Sequence, residues 1–171
     1  REETGIALDI ISAQEEARLA VLGCHVLLED GPGPAVIFDI GGGSTELVLV
    51  EPSGAVPRII DWLSVPYGVV SLTDTVGGSE ATTEERHARY SEMRRTVRES
   101  FAPFYERVQD FANDPKGVRL LGTSGTVTTL ASVHLGLPQY DRQAVDGLIV
   151  NSSAMRDISN RLSKMSPAER E

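Results

Sequence analysis

The chain has 171 residues, of which 40% are hydrophobic and 24% are charged, and its formal net charge is −9. This composition is typical of one globular domain, or one domain and part of another, and the single Cys24 excludes an intrachain disulfide and fits a reducing, cytoplasmic compartment. The acidic balance argues against general attraction to nucleic acid, and no apolar run approaches the roughly 20 residues that a membrane-spanning helix needs.

The first predicted elements are a short strand and an amphipathic helix. Residues 5–11 (GIALDII) form an apolar run of strand length. Ser12 and Glu15 have the spacing of a capping box, which predicts a helix over residues 13–28. Glu15 and Glu16 fall in its first turns, where the helix dipole favours acidic side chains. Position alone therefore explains both as surface carboxylates.

The segment on which the rest of the chain depends is residues 36–50, which read VIFDIGGGSTELVLV. Its β-branched and aliphatic residues predict two antiparallel strands joined by a tight turn. Gly41, Gly42 and Gly43 permit positive φ angles and let bare backbone approach a ligand. Their N–H groups, together with the hydroxyl of Ser44, could surround an anionic oxygen.

Asp39 enters this turn from the end of the first strand. Its carboxylate would repel a phosphate group, but it could hold Mg²⁺ or orient a water molecule beside the phosphate. An ordinary hairpin turn is the alternative, and on this segment alone it is the favoured one.

A third strand and a long helix follow. Residues 58–65 (RIIDWLSV) complete a three-stranded antiparallel meander. Thr82 and Glu85 form a second capping box, which predicts a helix over residues 83–113 that Pro103 should kink or split. An apolar stripe marks its buried face. A homodimer contact is an alternative use of this stripe, although a domain core is the commoner one.

A second loop rich in Gly, Ser and Thr follows a short apolar strand at residues 118–121. Ser124, Gly125 and Thr126 lie where this strand gives way to a helical pattern. A helix N-terminus combines unpaired N–H groups with the positive end of the dipole, so this loop is either an anion site or an ordinary capped turn. Ser124 is not predicted to be a nucleophile, because Gly125 follows it directly and the Gly-x-Ser-x-Gly spacing is absent.

Three stretches taken together resemble one family. They are ISAQEEARLAVLG at residues 11–23, VIFDIGGGSTELVLV at residues 36–50 and LLGTSGTVTTLA at residues 120–131. Their order and separations are similar to those of the exopolyphosphatase / guanosine pentaphosphate phosphohydrolase (Ppx/GppA) family, and ETGIALDIISAQEEAR and QAVDGL extend the match to nearly the whole chain. The resemblance implies an α/β, ribonuclease-H-like domain of the actin-like ATPase type, which agrees with a three-stranded antiparallel meander followed by alternating helices and strands.

The resemblance also implies a reaction. Family members remove the terminal phosphate of inorganic polyphosphate, or the 5′ phosphate of guanosine pentaphosphate, using Mg²⁺. By this resemblance Glu16 would be the general base that activates water, with Glu15 as the fallback, and Asp39 would bind Mg²⁺ or position the water. The phosphate-binding residues that it implies are Gly41, Gly42, Gly43, Ser44, Ser124, Gly125 and Thr126.

The sequence departs from the family pattern at its two ends. An Asp-x-Gly-Ser-Asn-Ser type phosphate loop and a Gly-x-Arg-Ala-Asp stretch are absent, and Ala13 stands where a Gly is frequent. We therefore expect a middle portion, with residues 1–34 ending a first domain and residues 35–171 forming a truncated second, ribonuclease-H-like domain. Because the family's substrate lies between domains, this portion alone is expected to be weakly active or inactive.

Polyphosphate is the preferred substrate in this interpretation, and no nucleic-acid or membrane partner is expected. Two other functions stay open. The first is a phosphotransferase of the same superfamily that passes phosphate from ATP to an acceptor. The second is a non-catalytic module that senses a nucleotide or polyphosphate.

Overall fold

The computed structural model describes residues 4–7, 9–28, 31, 33–51, 53, 55–112 and 117–170. The elements in chain order are α1 (Ala13–Cys24), a 3₁₀ turn (His25–Leu27), β1 (Ala35–Ile40), β2 (Thr45–Glu51), β3 (Arg58–Val65), α2 (Val69–Val76), α3 (Thr83–Ala112), β4 (Arg119–Thr123), α4 (Ser124–Leu135), α5 (Arg142–Val145), α6 (Ser152–Lys164) and α7 (Pro167–Arg170). Within these ranges, none of the helices combines the length and the hydropathy that crossing a membrane requires.

The four strands form one mixed sheet in the order β3-β2-β1-β4. β1 pairs antiparallel with β2, and β2 pairs antiparallel with β3, so the predicted meander is confirmed. β4 follows the long helix and pairs parallel with β1. The predicted α/β class and ribonuclease-H-like arrangement are thereby confirmed. β1 and β4 run in the same direction. The loops that follow them, at residues 41–44 and 123–126, therefore lie at the same end of the sheet, beyond the carboxyl ends of both strands.

Helices cover both faces of this sheet. On one face, α1 buries Val21 and Cys24 against a core that includes Ile37 of β1. On the other face, α3 buries Phe104 and Val108 against β2. Because strand side chains alternate between faces, every second residue of β1 after Ile37 points to the side of α1. This alternation decides which side chains can reach a ligand at that end of the sheet.

The helices α1 and α3 begin at the capping residues that the sequence predicts. Ser12 caps α1 by accepting a hydrogen bond from the N–H of Glu15 at 3.2 Å. The capping box of α3 is complete, since Thr82 and Glu85 exchange bonds of 2.9 and 3.1 Å. α3 runs through Pro103 without being split. Phe101 and Phe104, on either side of this proline, pack in the same core, so tertiary packing supports the helix across the missing backbone bond.

The predicted strand at residues 5–11 is wrong for the described residues 5–7 and 9–11, which form no strand. Ile6 and Ile10 are exposed instead of buried. An apolar run of strand length becomes a strand only where a neighbouring strand can pair with it, and here none does among the described residues.

Candidate functional site

A row of polar side chains crosses the sheet near the carboxyl ends of β1 and β4. Glu46 of β2 lies opposite Asp39 of β1, Ser64 of β3 lies opposite Glu46, and Thr123 of β4 lies beside Asp39. These four residues, which we call the polar row, share the face that α1 covers, because they lie two positions along each strand from apolar residues of that core. The row therefore borders a buried core on one side and the loops on the other.

Asp39 is a perturbed carboxyl group. Burial raises its pKa above the ordinary value of 3.8, a hydrogen bond with the side chain of Ser124 opposes that rise, and the neighbouring carboxylate of Glu46 adds to it. The Ser124 contact joins the end of β1 to the start of α4. Two of the predicted site residues, which are 85 positions apart in the numbering, are thus close enough for one side chain to lower the pKa of the other.

Glu46 is a candidate site residue that the sequence analysis did not identify. Its side chain is only 4% exposed, and its Oε1 accepts a hydrogen bond of 2.9 Å from the hydroxyl of Ser64. A buried carboxylate is uncommon unless a cation or hydrogen bonds compensate it. Hairpin pairing was the available signal, because a four-residue turn at residues 41–44 places Glu46 opposite Asp39.

The loop at residues 41–44, which we call the phosphate loop, closes the hairpin with a bond of 3.0 Å from the N–H of Gly41 to the carbonyl of Ser44. None of Gly41, Gly42 and Gly43 has a positive φ angle, so the turn does not use the positive φ angles that these glycines permit. Gly42 and Gly43 instead leave the backbone open, since both are exposed and neither has an added Cβ that would meet an atom closer than 3.7 Å.

The carbonyl groups of the phosphate loop are occupied. The N–H of Val69 donates to Gly41 at 3.0 Å, and the N–H of Val70 donates to Gly42 at 2.9 Å. The N–H groups of Gly42 and Gly43, by contrast, have no acceptor in the part of the chain that is described. A backbone segment with bonded carbonyls and free, exposed N–H groups is a binding surface for an anion.

The loop at residues 123–126 presents the N-terminus of α4 at the same end of the sheet. Ser124 begins α4 with a φ of 79°, a conformation that non-glycine residues rarely adopt. Thr123 supplies no side-chain cap, so the N–H groups of Gly125 and Thr126 in the first turn stay unpaired by a cap. Strained backbone of this kind persists where surrounding structure holds it, and it clusters at functional sites.

Glu15 and Glu16 differ in their surroundings. Glu15 forms an ion pair with Arg18, with contacts of 2.6 and 2.8 Å, and its pKa is lowered by that bond. The carboxylate of Glu16 is exposed and contacts no cation or donor among the described residues. Its neighbour Ala17 is buried against the sheet, so α1 is held in place beside it.

The structure does not bring Glu16 into contact with the polar row. The α1 side chain that is affected by the charge of Asp39 is Cys24, whose pKa is raised by burial and by that charge. Cys24 lies eight residues after Glu16, which corresponds to about 12 Å along a helix axis. The two loops and Asp39 lie together, and Glu16 is carried by the helix whose Ala17 packs on the same face of the sheet.

The carboxyl groups fit a magnesium ion. The described residues include no group of three or more His, Cys, Asp or Glu side chains that could enclose a metal. Mg²⁺, however, usually takes only one or two carboxylates and fills its remaining positions with water and phosphate oxygens. Asp39 and Glu46 supply that pair, and a cation would compensate two neighbouring charges in a partly buried place.

Comparison with known proteins gives a consistent result. The sequence matches the Ppx/GppA phosphatase family over residues 1–171. It is 30% identical to exopolyphosphatase 2 of Mycobacterium tuberculosis over 97% of this chain and 48% of that protein. The Aquifex aeolicus Ppx/GppA family member is 26% identical and superposes with a TM-score of 0.67 over 99% of this chain and 50% of that one. An exopolyphosphatase from Cytophaga hutchinsonii, 21% identical, shares the fold with a TM-score of 0.75 over 99% of this chain and 51% of that one. The chain spans about half the length of the curated relatives it matches.

Proposed function

Because this chain belongs to the Ppx/GppA phosphatase family, we propose that it takes part in releasing the terminal phosphate from a phosphoanhydride. Inorganic polyphosphate is the preferred substrate and guanosine pentaphosphate is the second. The observation that carries the proposal is the convergence of Asp39 with two loops of free N–H groups at one end of the sheet.

The two loops bind the oxygens of the terminal phosphate. The N–H groups of Gly42, Gly43 and Ser44 approach from the phosphate loop, and those of Gly125 and Thr126 approach from the first turn of α4. Donors fixed before the substrate arrives stabilise the charge on the transferred phosphoryl group without reorganising during the reaction.

Asp39 and Glu46 would hold Mg²⁺, which supplies electrostatic stabilisation of phosphate charge when it is bound. Ser64 keeps Glu46 in one orientation through its hydroxyl. The hydroxyl of Ser124 does the same for Asp39, so both carboxylates are oriented by hydrogen bonds with neighbouring serines.

Glu16 is the general base in this proposal. Water attacks the terminal phosphorus, its proton passes to Glu16, and the bond from that phosphorus to the bridging oxygen breaks, leaving the shortened chain as the departing group. The free carboxylate of Glu16 supports this role. The ion pair of Glu15 with Arg18 lowers the pKa of Glu15 and occupies its carboxylate, which disfavours Glu15 as the base.

The test is phosphate release from long-chain polyphosphate and from guanosine pentaphosphate with Mg²⁺, using the protein at its full natural length. E16Q is expected to lower kcat on the order of 10²- to 10⁴-fold, whereas the adjacent E15Q should stay within about threefold of wild type. Near-normal turnover by E16Q would show that the base is another residue. Binding of both compounds without any phosphate release would favour a sensing module, and ATP-dependent phosphorylation of an acceptor would favour a phosphotransferase.

A further inference from the structure

Ser71 connects α2 to the phosphate loop. Its hydroxyl donates to the carbonyl of Gly43 at 2.9 Å and accepts from the N–H of Gly68 at 2.8 Å. Its own N–H donates to the carbonyl of Gly42 at 3.1 Å. With the bonds from Val69 and Val70, the start of α2 therefore engages the carbonyls of three consecutive glycines.

These bonds determine where the N–H groups of the loop point. None of the described peptide bonds is cis. In a planar trans peptide unit the C=O and the following N–H point in opposite directions. Because the carbonyls of Gly41, Gly42 and Gly43 point towards α2, the N–H groups of Gly42, Gly43 and Ser44 point away from it. The direction of these N–H donors is therefore fixed by the hydrogen bonds that the glycine carbonyls accept from α2.

Ser71 differs from the other contacts because it holds Gly43 through a side chain. Its hydroxyl makes the one bond to the Gly43 carbonyl among the described residues. Without that bond the peptide unit between Gly43 and Ser44 is free to turn over. A reversed unit would present a carbonyl oxygen to the anion and withdraw the N–H of Ser44, replacing an attraction with a repulsion.

We propose that Ser71 is a positioning residue that holds the phosphate loop in its anion-binding orientation. The inference rests on the proposed function for the identity of the substrate, while the loop geometry itself does not. Two neighbouring contacts keep α2 close enough for this role. Gly68 packs so tightly that an added Cβ would lie 2.4 Å from the carbonyl oxygen of Gly41, and Thr45 donates to the carbonyl of Tyr67 at 2.7 Å.

The test compares three variants of the full-length protein. S71A removes the hydroxyl, S71T keeps it, and T73A removes a hydroxyl on the same helix whose one hydrogen bond within the described ranges is to the carbonyl of Val69 at 2.7 Å. We expect S71A to lower kcat/KM for long-chain polyphosphate about 10- to 100-fold, as misplaced positioning groups do. S71T should recover most of the loss, and T73A should match wild type.

A second measurement is independent of turnover. The amide NMR signals of Gly43 and Ser44 are followed while inorganic phosphate is added to wild type and to each variant. We expect the apparent Kd for phosphate to rise about tenfold in S71A and to stay unchanged in T73A, a difference that corresponds to one lost charge-assisted hydrogen bond.

The outcomes separate the two proposals. Equal phosphate Kd values for S71A and wild type, or no phosphate response at Gly43 and Ser44 in wild type, overturn the role of Ser71 whether or not hydrolysis occurs. Absence of phosphate release by wild type, together with a weakened phosphate Kd in S71A, overturns the hydrolase assignment and leaves the role of Ser71 standing. A thermal unfolding scan of each variant shows that the comparison is made between folded proteins.

Discussion

At the residue scale, the charge on the partly buried carboxylate of Asp39 lowers the stability of the folded protein. Burial raises its pKa above 3.8, with the charge of Glu46 adding to the effect, so the folded state holds this proton more tightly than the unfolded chain does. Between the ordinary and the raised pKa the folded state binds more protons, and stability falls as the pH rises through that window. At neutral pH the charged form of Asp39 therefore destabilises the fold.

Replacing Asp39 by Asn should consequently raise the melting temperature at pH 7 while lowering phosphate release about 10²-fold or more, since the proposed metal ligand is lost. The gain in melting temperature should shrink as the pH falls towards 4, because Asp39 then becomes protonated in wild type as well. Thermal unfolding at the two pH values provides the measurement. D74N makes the same substitution at an exposed site on α2 and is the matched control. A lower melting temperature for D39N at pH 7 would mean that a bound cation or another contact already compensates the charge.

The residues of the site differ in how far the sequence could identify them. Asp39, the glycines after it and Ser124 stand in short local motifs, and these motifs together with the family resemblance made them candidates. Glu46 becomes a site residue only through its position opposite Asp39, which depends on the register of the hairpin. Ser71 lies 28 positions from its acceptor Gly43, and no local pattern announces that contact.

At the scale of elements, glycine is needed at a different place from the one that the motif suggests. An added Cβ at Gly68 would lie 2.4 Å from the carbonyl oxygen of Gly41 and 2.5 Å from the carbonyl carbon of Gly42, both of which are backbone atoms. At Gly43 no atom lies within 4 Å of such a Cβ, and the φ angle is not positive. The contact between α2 and the phosphate loop is therefore the more demanding position.

G68A should accordingly destabilise the protein by about 1–3 kcal/mol, the usual range for forced overpacking, whereas G43A should stay within about 0.5 kcal/mol of wild type. Chemical denaturation of both variants measures the two changes under identical conditions. If G43A were as destabilising as G68A, the backbone of the phosphate loop would need the freedom of glycine, contrary to its observed φ angles.

Elements were predicted well where a local signal agreed with tertiary packing. The capping box at Thr82 and the apolar stripe of α3 agree with each other, and the structure describes one helix over Thr83–Ala112, within the predicted range. The run at residues 5–11 has a strand-like composition but no neighbouring strand among the described residues, so composition alone misled. The register of β4 beside β1 could not be obtained from either strand by itself, because it depends on the crossover through α3.

At the scale of the whole molecule, the sheet separates two cores with different consequences for the site. The core under α3 contains Phe104 and Val108 and lies on the face opposite the polar row. The core under α1 contains Val21 and shares its face with Asp39 and Glu46. Glu16 is carried by α1 as well, so the packing of this helix positions the proposed base relative to the row.

V21A and V108A make the same substitution at buried sites, 1% and 6% exposed, on the two faces. Each removes two buried methyl groups and should destabilise by about 2 kcal/mol, from roughly 0.8 kcal/mol per group and a cavity contribution. At a temperature where both variants are fully folded, V21A should also lower kcat for polyphosphate several-fold, because α1 can shift into the cavity and displace Glu16. V108A should leave kcat unchanged, since its cavity lies on the far face. Denaturation curves and turnover measured on the same preparations distinguish the two effects. Equal kcat values for the two variants would show that catalysis does not depend on how α1 is seated, and the base would then have to be sought on another element.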